Sequence, residues 1–540
     1  MAGRNNHRKS QLVEKVKNHR WVFAILAASF VLRVYFVLSM RGYALFEPLL
    51  PSYDMTTFHE WAKRIAGGEL SQGRAFYQAP LYPYLLGALY AITGPNVLIA
   101  KLAQAVVGTL SVGLVYLLGC RLFDRKVALV AASLTALTPI FPFYETFLLR
   151  ATLVTFLNLG LLLTFVYFNP HRPLAWAAVS GAALGISALG RANILVMLPV
   201  GIIWIWRLLE GKTMLIRFRA AVVFVLFTFI AISPASLHNI LIGKQWVLVS
   251  TNMKENWRIG NSYDSTGGFW NPAKETVPFL TRHFLRLQWK KLAKLVSDYE
   301  EPNNINFYHI RPNNAFLRLP VFSWGFFLAF GLAGIILTWK RRRQLFPLHW
   351  YLLLYGASLV AFFVTSRFRV PLWPVLILFS AVAFYRIQEW LRVKKVLFGA
   401  IALILPTIAA VLLILGNDMI IQAQYFDNMV LIHKQRGDNR AVVKELTAKL
   451  RFYPNHPSTL WDLAYYLQKE GRKEEALKNL DNLLRAVGDQ PQVLRSAGLL
   501  DLELGNREHG QIRLRRYLEL SPQAPDRVEI ERIISGPGSR

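Results

Sequence analysis

Long apolar runs separated by basic turns constrain this chain more than any other feature. A segment needs about 20 mostly apolar residues to cross the hydrocarbon of a bilayer. With no water there, every backbone N–H and C=O must be paired inside the span, so each isolated run has to be a helix. Runs of this kind fall near 21–39, 97–119, 127–143, 146–168, 174–190, 193–208, 220–237, 320–338, 348–365, 370–386 and 396–415. The first is long and no small-residue cleavage site follows it, so it is expected to be a membrane helix rather than a cleavable signal peptide. Composition agrees: 54% hydrophobic and 17% charged residues over 540 positions exclude an ordinary soluble protein. The expected fold class is an all-α polytopic membrane protein with about eleven transmembrane helices.

Orientation follows from how lysine and arginine sort between the runs. With the N-terminus cytoplasmic, the inner side collects Arg4, Arg8, Lys9, Lys15, Lys17 and Arg20, then Arg121, Arg125, Lys126, Arg172, Arg207, Lys212, Arg217 and Arg219. Lys340 to Arg343, Arg386, Arg392, Lys394 and Lys395 fall there too. Segments 40–96 and 238–319 and everything after 416 are then expected outside, and the reverse arrangement would translocate Trp339-Lys340-Arg341-Arg342-Arg343. The formal charge of +30 is explained by anchoring against anionic lipid, with no need for nucleic acid as a partner.

Residues 1–20 are therefore read as a cytoplasmic basic N-terminus and 21–415 as the transmembrane domain, with outer loops at 40–96 and 238–319. Residues 416–540 differ in kind, since 17 of the 32 acidic residues lie in 417–540. A period of 34 appears in Gly437, Gly471 and Gly505 and again in Pro454, Gly488 and Pro522. Segments 423–456, 457–490 and 491–524 read as three helix-turn-helix units, with Leu463, Ala464, Leu467, Ala476 and Leu480 at the packing positions of the central one. The pattern resembles the tetratricopeptide repeat, which implies a protein partner or a brace for a neighbouring domain. Val442 departs from the alanine preferred at its position.

Chemistry has to come from the membrane half. Residues 1–230 hold only eight carboxylates, and Asp54 and Glu60, in the segment between the first two spans, are two of them. An acid beside a bilayer needs a reason. Other polar groups gather at the outer ends of spans: Lys101 and Gln104 one turn apart, Glu145, Arg191-Ala192-Asn193, and Ser366-Arg367-Phe368-Arg369-Val370-Pro371. Together these are expected to ring an outward-facing cavity. Several cations beside a few carboxylates suit a substrate with a phosphate head and a lipid tail, the cations holding phosphate and a carboxylate taking a hydroxyl proton.

Three segments carry a family resemblance. Tyr53-Asp54, Trp61-Ala62, Gly67-Gly68 and Ala79-Pro80-Leu81-Tyr82-Pro83 form the first, Tyr144-Glu145-Thr146 the second, and Ser366-Arg367-Phe368-Arg369-Val370-Pro371-Leu372-Trp373-Pro374 the third. Over roughly residues 20–390 the chain resembles the polyprenyl-phosphate-sugar-dependent glycosyltransferases of the C-type fold, and among them the dolichyl-phosphate-mannose–protein mannosyltransferases and their bacterial relatives. Asp54-Met55 stands where the eukaryotic enzymes carry an Asp-Glu pair. The resemblance implies transfer of a sugar from a polyprenyl-phosphate donor to an acceptor hydroxyl on the outer face of a bacterial inner membrane, with inversion. It makes Asp54 the general base. The acceptor, whether lipid, glycan or protein, stays open, as does a divalent cation; no other cofactor is implied.

Each residue also has a plainer reading. Asp54 is able to cap the segment 55–66. Glu60 is a structural or acceptor-side contact, and Lys101 a phosphate ligand or a lysine snorkelling to the interface. Glu145 pairs with an arginine, Arg191 with a phosphate or Glu145, and Arg367 and Arg369 bind substrate or meet headgroups. The aromatic and amide residues of 238–319, among them Trp246, Trp257, Trp270 and Arg311-Pro312-Asn313-Asn314, suit sugar binding or packing on a membrane. The single Cys120 excludes an intramolecular disulfide, and phosphate-loop, His-Glu-x-x-His and Gly-x-Ser-x-Gly motifs are absent. A transporter or lipid flippase whose repeats recruit partners is the alternative class; it predicts midplane charges and internal symmetry.

Overall fold

A computed structural model describes the chain apart from residues 1, 49, 51–52, 264, 270–274, 312–313, 319–321, 394–403, 410–422 and 536–540. Trp270, Pro312, Asn313, Lys394, Lys395 and all but 404–409 of the expected eleventh span lie outside the described residues. The fold is helical, and the chain divides into two units, Met1–Met419 and Ile420–Arg540.

The first unit is a bundle of apolar helices. Among the described residues five are long and apolar enough to cross a membrane: Arg20–Ser39 within α1 (Ala2–Ser39), α4 (Val97–Leu122), α8 (Pro173–Gly190), α10 (Met214–Leu241) and Ser366–Arg392. The last of these joins α17 (Ser366–Arg369) to α18 (Trp373–Arg392) through a short 3-10 turn. Shorter apolar helices lie at the positions expected near 146–168, 193–208, 320–338 and 348–365, namely α7 (Ala151–Val166), Ala192–Leu208, α14 (Trp324–Leu337) and Phe346–Ala361. The run expected at 127–143 breaks at Thr138-Pro139 into α5 (Arg125–Leu137) and α6 (Ile140–Glu145). Proline lacks the amide that would continue the helix, and the residue before it leaves the helical region.

Membrane helices gain little from the hydrophobic effect between themselves and rely on close packing. Gly181 and Gly185 of α8 provide it against α10: a Cβ at either would come within 2.2 Å of the Phe224 carbonyl or 2.4 Å of that of Thr228. Gly108 of α4 does the same for a charge. It leaves room for the Glu145 carboxylate, which meets Arg33 Nε at 3.1 Å. Both side chains are fully buried, and Arg33 also donates to the Ser29 hydroxyl.

Two long connections are sewn to each other. α2 (Asp54–Ala66) buries Met55, Phe58, Trp61, Ala62 and Ile65, the stripe of an amphipathic helix, and packs on α3 (Leu81–Thr93). The stretch after α2 runs beside residues 247–252, with Thr251 and Asn252 amides donating to the Phe76 and Tyr77 carbonyls at 2.9 and 3.2 Å. Asn239, at the end of α10, clamps both strips: its oxygen accepts from the Phe76 amide and its nitrogen donates to the Val247 and Val249 carbonyls. Among its described residues the 238–319 segment carries the α-helices α11 (Met253–Asn261), α12 (Arg282–Val296) and α13 (Phe307–Ile310) and the 3-10 helix Ala315–Arg318.

The second unit stacks helix pairs: Ala423–Gln435 with Asn439–Phe452, Pro457–Lys469 with Lys473–Val487, and Pro491–Glu503 with Arg507–Leu520, followed by Arg527–Ser535. Gly437, Gly471 and Gly505 close the first helix of each pair at φ of 70 to 86°, a left-handed conformation that costs glycine nothing. Val442, Ala476 and Gly510 occupy one position in successive pairs and are all buried. In the third pair Gly510 approaches Gly498 so closely that a Cβ would lie 2.8 Å from its carbonyl.

Removing one partner of a buried pair leaves a bare charge, which costs roughly 3–5 kcal/mol. Arg33→Met is therefore expected to lower the thermal unfolding midpoint of the detergent-solubilised protein sharply. The double change Arg33→Met with Glu145→Leu should recover most of it; a double variant as unstable as the single one would deny that the pair holds these helices.

Candidate active site

Asp54 opens α2, where a carboxylate favours the helix dipole. Its side chain caps nothing, however: no side chain caps α2, and both carboxylate oxygens are engaged elsewhere. Oδ1 accepts from the Gln78 amide at 2.8 Å, and Oδ2 forms an ion pair with Arg367. Burial alone would raise the Asp54 pKa. Arg367, Arg150 and the Gln78 amide outweigh it and hold the carboxyl down at about 2.

These groups line a cavity of about 1040 Å³. Arg150 precedes α7 and Arg191 follows α8, so two apolar helices deliver guanidinium groups from their ends. Among the described residues neither has a carboxylate within ion-pair distance. Arg191 lies 3.5 Å above the Phe368 ring and against the Tyr355 hydroxyl, while Arg150 lies 5.7 Å from the Phe58 ring. Arg367 rests over the same Phe368 ring at 4.9 Å. The far wall comes from residues 246–257, Phe269, Asn303 and Asn304 of the 238–319 segment.

The floor is fixed by polar links between helices. A π-helical turn, Tyr351–Tyr355, widens the backbone beneath Arg191, a distortion found often near functional sites. Asn158 donates to the Tyr351 hydroxyl at 3.1 Å, Tyr351 to the Pro371 carbonyl at 2.9 Å, and Asn193 to Ser358 at 2.9 Å. Arg367 itself sits on α17, whose approach is pinned by Val364 and Ser366 amides donating to the Gly267 and Glu301 carbonyls, each at 3.0 Å.

Of the residues expected around one cavity, Asp54, Arg191 and Arg367 meet. Four others are placed elsewhere, and each has a physical reason. Glu60 is on the exposed face of α2, paired with Lys63 at 3.1 Å. Lys101 is buried, with its ammonium donating to the Phe46 carbonyl and 3.2 Å from that ring's centre. Glu145 pairs with Arg33 inside the bundle, not with Arg191. Arg369 is completely buried and donates to the Ser297 and Tyr299 carbonyls at 2.6 and 2.7 Å, with Glu300 at 3.1 Å, tying 238–319 to α17. Lysine and arginine bury this way where carbonyls and carboxylates take the place of water.

Sequence reasoning missed Arg150, Gln78 and Arg33. Gln78 immediately precedes the Ala79-Pro80-Leu81-Tyr82-Pro83 segment and carries no charge to mark it. Arg150 carried a usable signal, an unmatched arginine in the first turn of an expected span, where a charge calls for a partner.

Three guanidinium groups, one of them paired with Asp54, thus gather around one ionised acid. No group of three or more His, Cys, Asp or Glu suited to a metal occurs among the described residues. Residues 77–238 match the family model described as dolichyl-phosphate-mannose-protein mannosyltransferase, which bears out the resemblance read from the sequence. The chain is similar to the crystal structure of ArnT from Cupriavidus metallidurans bound to undecaprenyl phosphate, at 14% identity and a TM-score of 0.45, covering 94% of this chain and 82% of that one. It is also similar to the oligosaccharyltransferase AglB from Archaeoglobus fulgidus, in complex with an inhibitory peptide and a dolichol-phosphate. There the identity is 14% and the TM-score 0.39, over 79% of this chain and 60% of that one. No curated protein matches the chain.

Lys101→Met is expected to lower the thermal midpoint, because the Phe46 carbonyl loses its donor, a cost of about 1–3 kcal/mol. Added inorganic phosphate should raise the midpoint of that variant as much as it raises the wild type's. In Arg150→Ala or Arg191→Ala the phosphate increment should vanish; an increment lost in Lys101→Met instead would return Lys101 to the anion site.

Proposed function

We propose that the protein is an inverting glycosyltransferase that moves a sugar from a polyprenyl-phosphate carrier to an acceptor hydroxyl at the outer face of a bacterial inner membrane. The observation that carries this reading is the arrangement of Asp54 with Arg150, Arg191 and Arg367 around one cavity. The match over 77–238 to a family named for a lipid-phosphate sugar donor supports it. The undecaprenyl phosphate and dolichol-phosphate of the similar structures belong to the same class of ligand.

In this reading the acceptor oxygen attacks the anomeric carbon as its proton passes to Asp54. The bond from that carbon to the phosphate oxygen breaks on the opposite side, and polyprenyl phosphate leaves. The phosphodiester donor carries one negative charge and the departing monoester gains another. Arg150 and Arg191 face that growth in charge already oriented and already desolvated, which is where fixed cations contribute most to a transition state. A single displacement needs no second carboxylate as nucleophile.

A place for the tail adjoins the cavity. A groove of about 1290 Å³, mostly apolar, is lined by α12, α14 and the helical stretch Phe346–Ala361. It shares Trp257 with the polar cavity and reaches Arg207, Arg342 and Arg343 at its other end. An apolar groove beside a cationic pocket fits an isoprenoid phosphate better than a free sugar nucleotide.

Asp54→Asn is expected to abolish sugar transfer from a radiolabelled polyprenyl-phosphate donor while the protein still inserts and folds; full activity would remove Asp54 as base. The pH dependence has a definite sign. Because the Asp54 pKa is depressed to about 2, the carboxylate persists above that value and is lost only as pH falls through it. The acid limb of kcat/KM, which reports the free enzyme, should therefore not reflect Asp54 above about pH 4. In Arg367→Gln burial is no longer outweighed to the same extent, so an acid limb should move up into the accessible range.

A further inference from the structure

Each oxygen of the Asp54 carboxylate already carries a donor, Gln78 on one and Arg367 on the other. A base so occupied is poorly presented to an acceptor hydroxyl. The Arg367–Asp54 pair is largely buried, with the two side chains 11% and 19% exposed, so water does little to loosen it. The only other acid lining the cavity, Glu255, is engaged by Arg258 at 2.7 Å. Among the described residues, Asp54 is thus the sole carboxylate available to Arg367 inside the cavity.

Arg150 and Arg191 are differently placed. Among the described residues neither forms an ion pair with a carboxylate, and Arg191 shares the Phe368 ring with Arg367, at 3.5 and 4.9 Å. An anion seated on Arg150 and Arg191 therefore arrives beside Arg367. A phosphate offers a guanidinium the same two-point geometry as a carboxylate. The Phe368 face gives Arg367 a surface to stay on while its fork turns.

We propose that the lipid phosphate and Asp54 compete for Arg367, so that seating the phosphate on Arg150 and Arg191 draws Arg367 away and uncovers the carboxylate. This rests on the lipid-phosphate reading above and adds to it an order: the base is covered until the donor is in place. Arg367 acts as a positioning residue in the resting state and as a phosphate ligand afterwards. The charge count closes through the reaction. The proton that Asp54 takes up removes its claim on Arg367 as the phosphate gains its second charge, so the guanidinium stays where the charge has gone.

The test is a double-mutant cycle on binding of a polyprenyl monophosphate to the full-length, detergent-solubilised protein, read by titration calorimetry. Asp54→Asn removes the competitor and should tighten binding about tenfold, the scale of a close charge-pair coupling. In an Arg367→Gln background the same Asp54→Asn change should alter affinity less than about twofold. Unchanged or weaker binding in Asp54→Asn overturns the exchange. Equal tightening in both backgrounds also overturns it, because simple repulsion between Asp54 and phosphate would then suffice. If Arg367→Gln does not fold, Arg367→Met takes its place, and retention there of the full tightening overturns the proposal. Binding with these outcomes leaves the donor class standing, whereas no binding to wild type or Asp54→Asn removes the lipid-phosphate reading and this inference together.

Discussion

A charge inside a low-dielectric bundle persists only where partners replace its water, and that constraint sorts the ionisable residues of the first unit. Arg33 is satisfied by Glu145 and Ser29, Lys101 by the Phe46 carbonyl and ring, and Arg369 by main-chain carbonyls and Glu300. These side chains are spent on the fold. Arg150 and Arg191 are not matched in this way, and they converge on one cavity with the paired Asp54 and Arg367. The distinction between structural and chemical charges is thus one of satisfaction by neighbours rather than of residue type.

The cavity depends on how two connections are fastened over the helix ends. Asn239 holds the strip around Phe76 to the strip around Val249, which sets Gln78 at hydrogen-bonding distance from Asp54. Arg369 ties the other end of 238–319 beneath α17, which places Arg367 across from Asp54. A neighbouring pair of arginines on one short helix therefore divides its labour: Arg369 anchors the segment and Arg367 faces the cavity. Alternate residues of a short helix point to different sides, so two adjacent basic positions cannot serve the same surface.

Much of this was legible beforehand, and the misses have physical causes. The apolar runs and the period of 34 depend on local patterns, and helices appear where those patterns lie. Asp54 stood out because an acid beside greasy spans is rare, and Arg191 and Arg367 because they interrupt apolar sequence. Lys101, Glu145 and Arg369 interrupt it equally, yet their neighbours come from distant segments, Phe46, Arg33 and Ser297. No local pattern distinguishes a cation that will find a carbonyl from one that will not. Gln78 gained its role only from the fold, since an amide gives no charge signal.

Local sequence dictates the class: apolar helices of membrane length, a helical repeat unit, and acids, Asp54 among them, between the first two spans. Helix formation in an apolar solvent is dictated by the need to pair every backbone group, so periodicity and length suffice for it. Tertiary structure alone decided which charges remain for chemistry. It did so because the energy of a buried ion depends on atoms a few ångströms away, and those atoms come from segments tens to hundreds of residues apart in the chain. Asp54 could be singled out from its surroundings in sequence; its pairing with Arg367 could be known only from the folded cavity.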